Sequence, residues 1–243
     1  MTQLDCSHSA QVGRLAEPGW VGIAANANSG LGRGPGKVRR LERALERHGL
    51  ESRVAWTLAE RFVLLEQART DPACRCLVAV GGDGTVADVV NAGPTVPVTV
   101  LPAGTENLFA RHFGLRGRSE EALAEAIAAG RTYPLDLGLA GGRRFALMAG
   151  FGFDADVVTR HHQSRALGGM MRRTHRAAYI APVLQASVSY RFPALTLQAQ
   201  GPDGEEVLTG TTAFLFNLPR YALGLPFAPT ASGSDGLLDL VVF

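Results

Sequence analysis

Cysteine is scarce in this chain. Cys6, Cys74 and Cys76 are the only three in 243 residues, which excludes a disulfide framework. Cys74 and Cys76 lie two apart at the entry of an apolar run, too close for ordinary bridging and without metal-ligand spacing, so the usage points to a reducing compartment. Long hydrophobic stretches are missing too: no apolar run reaches the roughly 18–20 residues of a membrane span. Residues 1–18 are polar, lack the basic-then-apolar order of a secretory leader and read as a loose tail. Nor is there an excess of one charge. Lysine and arginine number 24 against 22 aspartates and glutamates, a formal charge of +2, which gives no global attraction for nucleic acid or an anionic bilayer. No internal repeat or low-complexity tract is present. What the chain does have is 46% hydrophobic residues, enough for a real core in one large domain or two modest ones.

The most informative stretch follows the apolar run Cys76–Val80. Gly81, Gly82 and Gly84 bracket Asp83 and precede Thr85, after which Val86, Val89 and Val90 recur at helical spacing. The pattern reads as strand, tight turn, helix. Glycines let a backbone approach a bulky anion, and a helix start offers free N–H groups at its positive end. Asp83 would repel phosphate, but it fits a site where Mg2+ lies between carboxylate and phosphate. A glycine-rich turn after a strand is also common without any ligand. Here it has company. The apolar run 96–101 leads into Pro102-Ala103-Gly104-Thr105-Glu106-Asn107, and Trp20–Ala25 leads into Asn26-Ala27-Asn28-Ser29-Gly30. Three strands ending in polar, glycine-bearing loops converge on one edge of a parallel sheet, where ligands bind.

Residues 20 to about 133 alternate strand and helix, which predicts a mostly parallel, doubly wound sheet. Val38, Leu41, Ala44 and Leu45 share one helical face. A short strand over 54–56 leads to Thr57 and a helix over roughly 59–69 carrying Phe62, Leu65 and Ala68. Ser119 is a good N-cap for a helix ending near Gly130. After Pro134 the texture changes. Gly141-Gly142 signals a hairpin, residues 195–200 alternate with period two, and Val207–Phe216 reads as one further strand after the Gly201–Gly204 turn. Residues 164–190 read as a helix carrying Arg165, Arg172, Arg173, His175 and Arg176. Such a helix could touch a bilayer or its phosphates, but Tyr179 and Leu184 look like core and favour a solvated helix face. The expectation is an α/β nucleotide-binding domain over 1–133 and a mainly antiparallel β domain over 134–243, with a cleft between them.

The combination Gly81-Gly82-Asp83-Gly84-Thr85, Val89-Val90-Asn91 and Leu101-Pro102-Ala103-Gly104-Thr105-Glu106-Asn107-Leu108-Phe109-Ala110-Arg111 resembles the diacylglycerol kinase catalytic-domain family, which includes bacterial lipid kinases. Leu135–Gly138, Phe145–Ala155 and Ser234–Asp239 extend the likeness over roughly residues 20–243. The GGDG turn is shared with NAD kinases, and an NAD kinase-like enzyme is an alternative that the GTENLFAR segment disfavours. The resemblance implies transfer of the γ-phosphate of ATP to a lipid hydroxyl such as diacylglycerol, with Mg2+. It implies that Asn26, Ser29, Gly30, Thr57, Gly82, Asp83, Gly84, Thr85, Asp88, Thr105 and Asn107 contact the nucleotide, that Asp83 is catalytic, and that Ser232, Asp235 and Leu237 form a second Mg2+ site. Arg33 and Lys37 either neutralise phosphate or are solvated. The expected setting is the cytoplasm, with peripheral contact at the inner membrane surface and no nucleic acid; a homodimer is left open.

The sequence departs from the family pattern in three ways. Ala27 stands where proline is usual. Leu108 replaces an acid, with Glu106 nearby. The position of the family's Asp-Gly-Glu motif, which supplies an acid for deprotonating the acceptor hydroxyl, lies beyond Phe243, and the Asp203-Gly204-Glu205 triplet falls in the turn that follows residues 195–200. The apolar ending Leu237–Phe243 suggests a β domain that is incomplete and an unpaired strand edge prone to association. A catalytically inactive nucleotide- or lipid-binding relative is therefore the second expectation.

Overall fold

The computed structural model describes residues 19–27, 29–166, 189–202 and 204–243. The polar tail 1–18 lies outside the described residues, as do 167–188 with most of the basic helix expected there.

The first half is built on four parallel strands, β1 (Trp20–Ala25), β2 (Glu51–Ala55), β3 (Cys74–Gly81) and β4 (Val98–Pro102), in the order β2-β1-β3-β4. Ile23 pairs with Val54 on one side and Val78 on the other, and Val78 pairs with Thr99. β1 and β3 are covered on both faces, which is why they read as unbroken apolar runs rather than alternating ones. On one face α1 (Gly34–Arg47) and α5 (Glu120–Ala129) bury Val38, Leu41, Leu45, Leu123 and Ile127 against Val21, Ile23, Val78 and Val80. On the other, α2 (Leu58–Thr70) and α3 (Asp83–Asn91) bury Leu64, Leu65, Ala68, Val86 and Val89 against Ala24, Leu77 and Ala79.

Local chemistry sets the helix ends. Ser119 Oγ accepts the Ala122 N–H at 3.2 Å, and Gly130 closes α5 in the left-handed region at φ +66°. Arg75 donates to the last carbonyls of α5, 3.0 Å to Ile127 and 2.7 Å to Ala128. One expectation shifts: Phe62 is 67% exposed. The buried stripe of α2 is Leu64, Leu65 and Ala68, and Phe62 lies well round the helix from it. Burial pushes the Cys74 thiol up to about 11 and the Cys76 thiol up to about 12, so both stay protonated and inert at neutral pH.

A short α4 (Leu108–His112) follows β4. The second half is largely antiparallel. β5 (Gly138–Ala140) and β6 (Arg143–Phe145) form a hairpin whose Gly141 and Gly142 both have positive φ, as a two-residue turn of this type requires. β7 (Met148–Gly152) runs into α6 (Phe153–Ala166). β8 (Leu195–Gly201) pairs with β9 (Gly204–Gly210), β11 (Arg220–Tyr221) with β12 (Leu225–Pro226), and β13 (Asp239–Val242), β10 (Thr212–Phe216) and β7 form a sheet in the order β13-β10-β7.

The strand expected over 207–216 is thus two strands in different sheets. The break falls where Gly210 meets the Phe243 carbonyl: a Cβ on Gly210 would stand 2.5 Å from that oxygen. Thr211 and Thr212 turn their N–H groups onto the same carbonyl at 2.6 and 3.2 Å. The apolar segment 239–242 is paired on its β10 side, with Phe214 opposite Val241; its other edge has no strand partner among the described residues.

The halves share a core. Ala146 and Leu218 join the same buried cluster as Trp20, Leu77 and Val90. Asn91 and the Arg144 backbone exchange two hydrogen bonds, both 2.9 Å, tying α3 to β6. Fully buried Asn217 donates to the carbonyls of Asp136 and Ala146, each at 2.9 Å.

Candidate phosphate-binding site

The carboxyl ends of β1, β3 and β4 bring three loops together. Asn26 donates its N–H to Val80 O at 3.0 Å, and its own carbonyl accepts from Ser29 at 3.1 Å, where a 3-10 turn (Ser29–Gly32) leads into α1. Gly34 lies close enough that an added Cβ would be 3.6 Å from the Asn26 carbonyl. The first loop is thereby hooked onto the end of β3.

The second and third loops meet backbone to backbone. Ala103 and Gly104 donate to Gly81 O at 2.8 and 3.2 Å, and a Cβ on Gly104 would stand 2.5 Å from the Gly82 Cα. Asn107 adopts the left-handed region (φ +50°) that asparagine tolerates better than most residues. Its side chain closes on Gly104, accepting the N–H at 3.0 Å and donating to the carbonyl at 2.7 Å. Asn107 shapes the third loop from inside.

Asp83 fastens the loops together. One carboxylate oxygen accepts the Leu108 N–H and the other the Phe109 N–H, both at 3.0 Å, so a residue of the second loop caps α4 behind the third. Burial pushes the Asp83 carboxyl upward; the Phe109 and Leu108 N–H groups pull it down, and the nearby Glu106 carboxylate adds a smaller upward push.

At the start of α3, Gly82 provides no side-chain cap. A Cβ on Gly84 would meet nothing within 4 Å. A bare helix start beside open space suits an anion with several oxygens. Thr85 is 3% exposed, and its hydroxyl packs against Gly81, where a Cβ would come within 2.2 Å of it. Of the expected nucleotide residues, Asn26, Ser29, Gly82, Asp83, Gly84, Thr85, Thr105 and Asn107 lie on the three loops. Thr57 stands at the end of β2, on the far side of β1, and forms a complete capping box with Glu60: its hydroxyl accepts the Glu60 N–H at 3.2 Å, and its N–H donates to Glu60 Oε2 at 3.0 Å. Asp88 is on α3, 3.4 Å from Arg61 of α2. Lys37 faces Glu120 at 3.7 Å.

Ser232, Asp235 and Leu237 lie elsewhere, in a turn wrapped around Asp136. Gly236 donates to Asp136 Oδ2 at 2.7 Å, Asp136 N–H to Gly233 O at 2.7 Å, and Leu237 N–H to Asp235 Oδ1 at 3.0 Å. The only carboxylate of that trio closes its own turn. No group of three His, Cys, Asp or Glu residues with metal-binding geometry occurs among the described residues.

One pair escaped the sequence reading. Tyr221 donates its hydroxyl to the Asp154 carboxylate, joining β11 to α6. Burial pushes Asp154 upward and the Tyr221 hydroxyl partly offsets it. β11 and the turn after it pack on α4, where Gly224 lies against the Arg111 guanidinium. Nothing local in the sequence links positions 154 and 221, 67 residues apart.

The family model of the diacylglycerol kinase catalytic domain matches residues 21–140. The chain is 33% identical over 174 residues to a diacylglycerol kinase of Mycobacterium tuberculosis, covering 68% of this chain and 54% of that protein. It is 31% identical over 209 residues to a protein of Pseudomonas syringae described as "Probable lipid kinase YegS-like", covering 79% and 61% respectively. The chain thus spans somewhat over half the length of these relatives. A crystal structure of a diacylglycerol kinase from Bacillus anthracis superposes with a TM-score of 0.64 at 21% identity, over 91% of this chain and 72% of that one. That likeness concerns the fold.

Proposed function

Since this chain belongs to the diacylglycerol kinase catalytic-domain family, we propose that it serves an ATP-dependent lipid kinase, which moves the γ-phosphate of ATP to a lipid hydroxyl such as that of diacylglycerol. The observation that carries the reading is the Gly82–Gly104 contact beside the open start of α3. Two side-chain-free backbones meet where a polyphosphate would need close approach. Phosphoryl transfer asks a protein mainly to position the phosphates and stabilise their charge. Gly84 lies in the first turn of α3, where an added Cβ would meet only open space. Asn107 shapes the third loop from inside, and Asp83 fastens α4 behind it to the second. Asn26, Ser29, Gly30, Thr105 and Asp88 line or flank the same edge, and Thr57 orients the start of α2 beside it.

Mg2+ fits the loops in one respect. The two Asp83 oxygens each use one lone pair on a backbone N–H and keep others for a hydrated cation, and Mg2+ is commonly held by one or two carboxylates together with substrate phosphates. Such an ion would neutralise charge building on the phosphates. The Ser232–Leu237 turn gathers too few donors for a second one, and its hydrogen bonds explain it as a turn. No described helix is long and apolar enough to cross a membrane.

The test is label transfer from γ-labelled ATP to diacylglycerol in mixed micelles, with NAD as a parallel acceptor. Labelled phosphatidic acid is expected, with none in NADP. Gly84→Val, whose Cβ would meet nothing within 4 Å, should fold normally and lose transfer. Label in NADP, or full lipid phosphorylation by Gly84→Val, overturns the reading.

A further inference from the structure

A cavity of about 640 Å3 lies at the opposite end of the sheet from the phosphate loops, beside the first residues of β3 and β4 (Cys76, Pro97, Val98) and under α5. Its volume falls within the ~300–1,000 Å3 common for small-ligand sites. Phe109, Phe113, Leu123 and Ile127 make the walls apolar. Tyr133 and Leu137, both exposed, extend that apolar surface over the rim. Arg131 and Arg144 also line it and are exposed, and neither guanidinium has an acidic partner among the described residues.

We propose that this cavity binds an anionic single-chain amphiphile, with the hydrocarbon chain along the Phe113–Ile127 wall and the headgroup on Arg131 and Arg144. An apolar recess with two unmatched cations at its mouth is complementary to one apolar tail and one negative head. A neutral polypeptide strand added to the open edge of β4 fits less well. Pro97 and Pro102 bound that strand and remove ladder donors, and a backbone has no use for two guanidinium groups. The site does not overlap the phosphate loops, yet it shares α4 with them: the Phe109 ring lines the cavity while the Phe109 N–H is held by Asp83. A ligand here would brace the helix that Asp83 caps.

The experiment is calorimetric titration of the full chain with dodecyl phosphate, dodecanoate, dodecanol and dodecyltrimethylammonium, each below its micelle concentration. The two anions should bind at one site per chain, dodecanol about tenfold or more weaker for want of charge-assisted hydrogen bonds, and the cation not measurably. The stronger of the two anions distinguishes a phosphate-ester source from a fatty-acid source. The double variant Arg131→Gln/Arg144→Gln changes exposed side chains only and should weaken both anions about tenfold or more. Ala126→Trp, at an exposed position lining the cavity, should abolish binding with an unchanged melting temperature. Equal binding of anion and cation, or anion binding that survives the arginine variant, overturns the proposal. So does a self-associated chain in sedimentation that takes up no amphiphile and is dissolved by Ala126→Trp, because the cavity would then be filled by a second copy.

Discussion

Gly104 rests against Gly82 so closely that a methyl group on it would stand 2.5 Å from the Gly82 Cα. Gly104→Ala should therefore part the second and third loops, at a cost of about 1–3 kcal/mol for overpacking, and weaken binding of a non-hydrolysable ATP analogue. Gly84→Ala meets no neighbour and should leave stability unchanged or raise it by up to about 1 kcal/mol, since alanine is the better helix former. Melting and analogue affinity measured on the same samples decide it. Equal melting of the two variants would mean that the contact does not matter.

Asp83→Ala leaves the Leu108 and Phe109 N–H groups without their acceptor, and each of these residues is buried. A loss of about 1–3 kcal/mol in unfolding free energy is expected. Asp83→Asn retains an acceptor and sheds a charge that burial disfavours, so it should recover part of that loss while phosphoryl transfer stays impaired. Chemical denaturation of the three proteins separates the clamp from the chemistry. An Ala variant as stable as the parent would remove the clamp from the account.

Thr57→Ala should cost about 1 kcal/mol through loss of the capping box, and Thr57→Ser should restore most of it. If the hydroxyl also meets nucleotide, analogue affinity will fall in the alanine variant by more than in Glu60→Ala, which breaks the same box from its other side. Equal affinities in the two variants would confine Thr57 to the helix start.

His112 stands at the end of α4, and burial, helped by the Arg220 charge, holds its imidazole below the ordinary value of about 6.5. The unfolded chain therefore takes up a proton before the folded one does. The neutral ring's contribution to stability is present above about pH 6.5 and is lost as the pH falls towards the depressed folded value. A melting-temperature profile from pH 7.5 to 5 should fall less steeply for His112→Gln than for the parent; parallel profiles would contradict the assignment.

The carbonyls of Asp136 and Ala146 both depend on the Asn217 amide. Asn217→Leu buries two acceptors without a donor and should destabilise by about 2–5 kcal/mol, visible as a lower denaturant midpoint. A midpoint unchanged from the parent would show that water reaches those carbonyls.

Features set by near neighbours in the chain were legible. Ser119 and Gly130 bound α5 because capping is decided within one turn. The apolar runs of β1 and β3 announced strands covered on both faces, and glycine spacing located the three loops. What stayed hidden depends on distant groups. The partners of Asp83 lie 25 and 26 residues on, so its cap on α4 could not be read from its own surroundings in the chain. The break between β9 and β10 is imposed by the Phe243 carbonyl, and no pattern within 207–216 reveals it. The exposure of Phe62 reflects which stripe of α2 reaches the sheet.

The shared core that joins Leu218 to Trp20, Leu77 and Val90 bears on how the chain is made. A ribosome releases the four parallel strands long before position 218 has left the tunnel. Until then the α3 side of the sheet lacks part of its cover, with the Val90 and Leu77 surfaces incompletely shielded. The nascent first half should remain sensitive to protease and attractive to chaperones, and protection should appear in one step as β10 and Leu218 arrive rather than in two steps, one for each half.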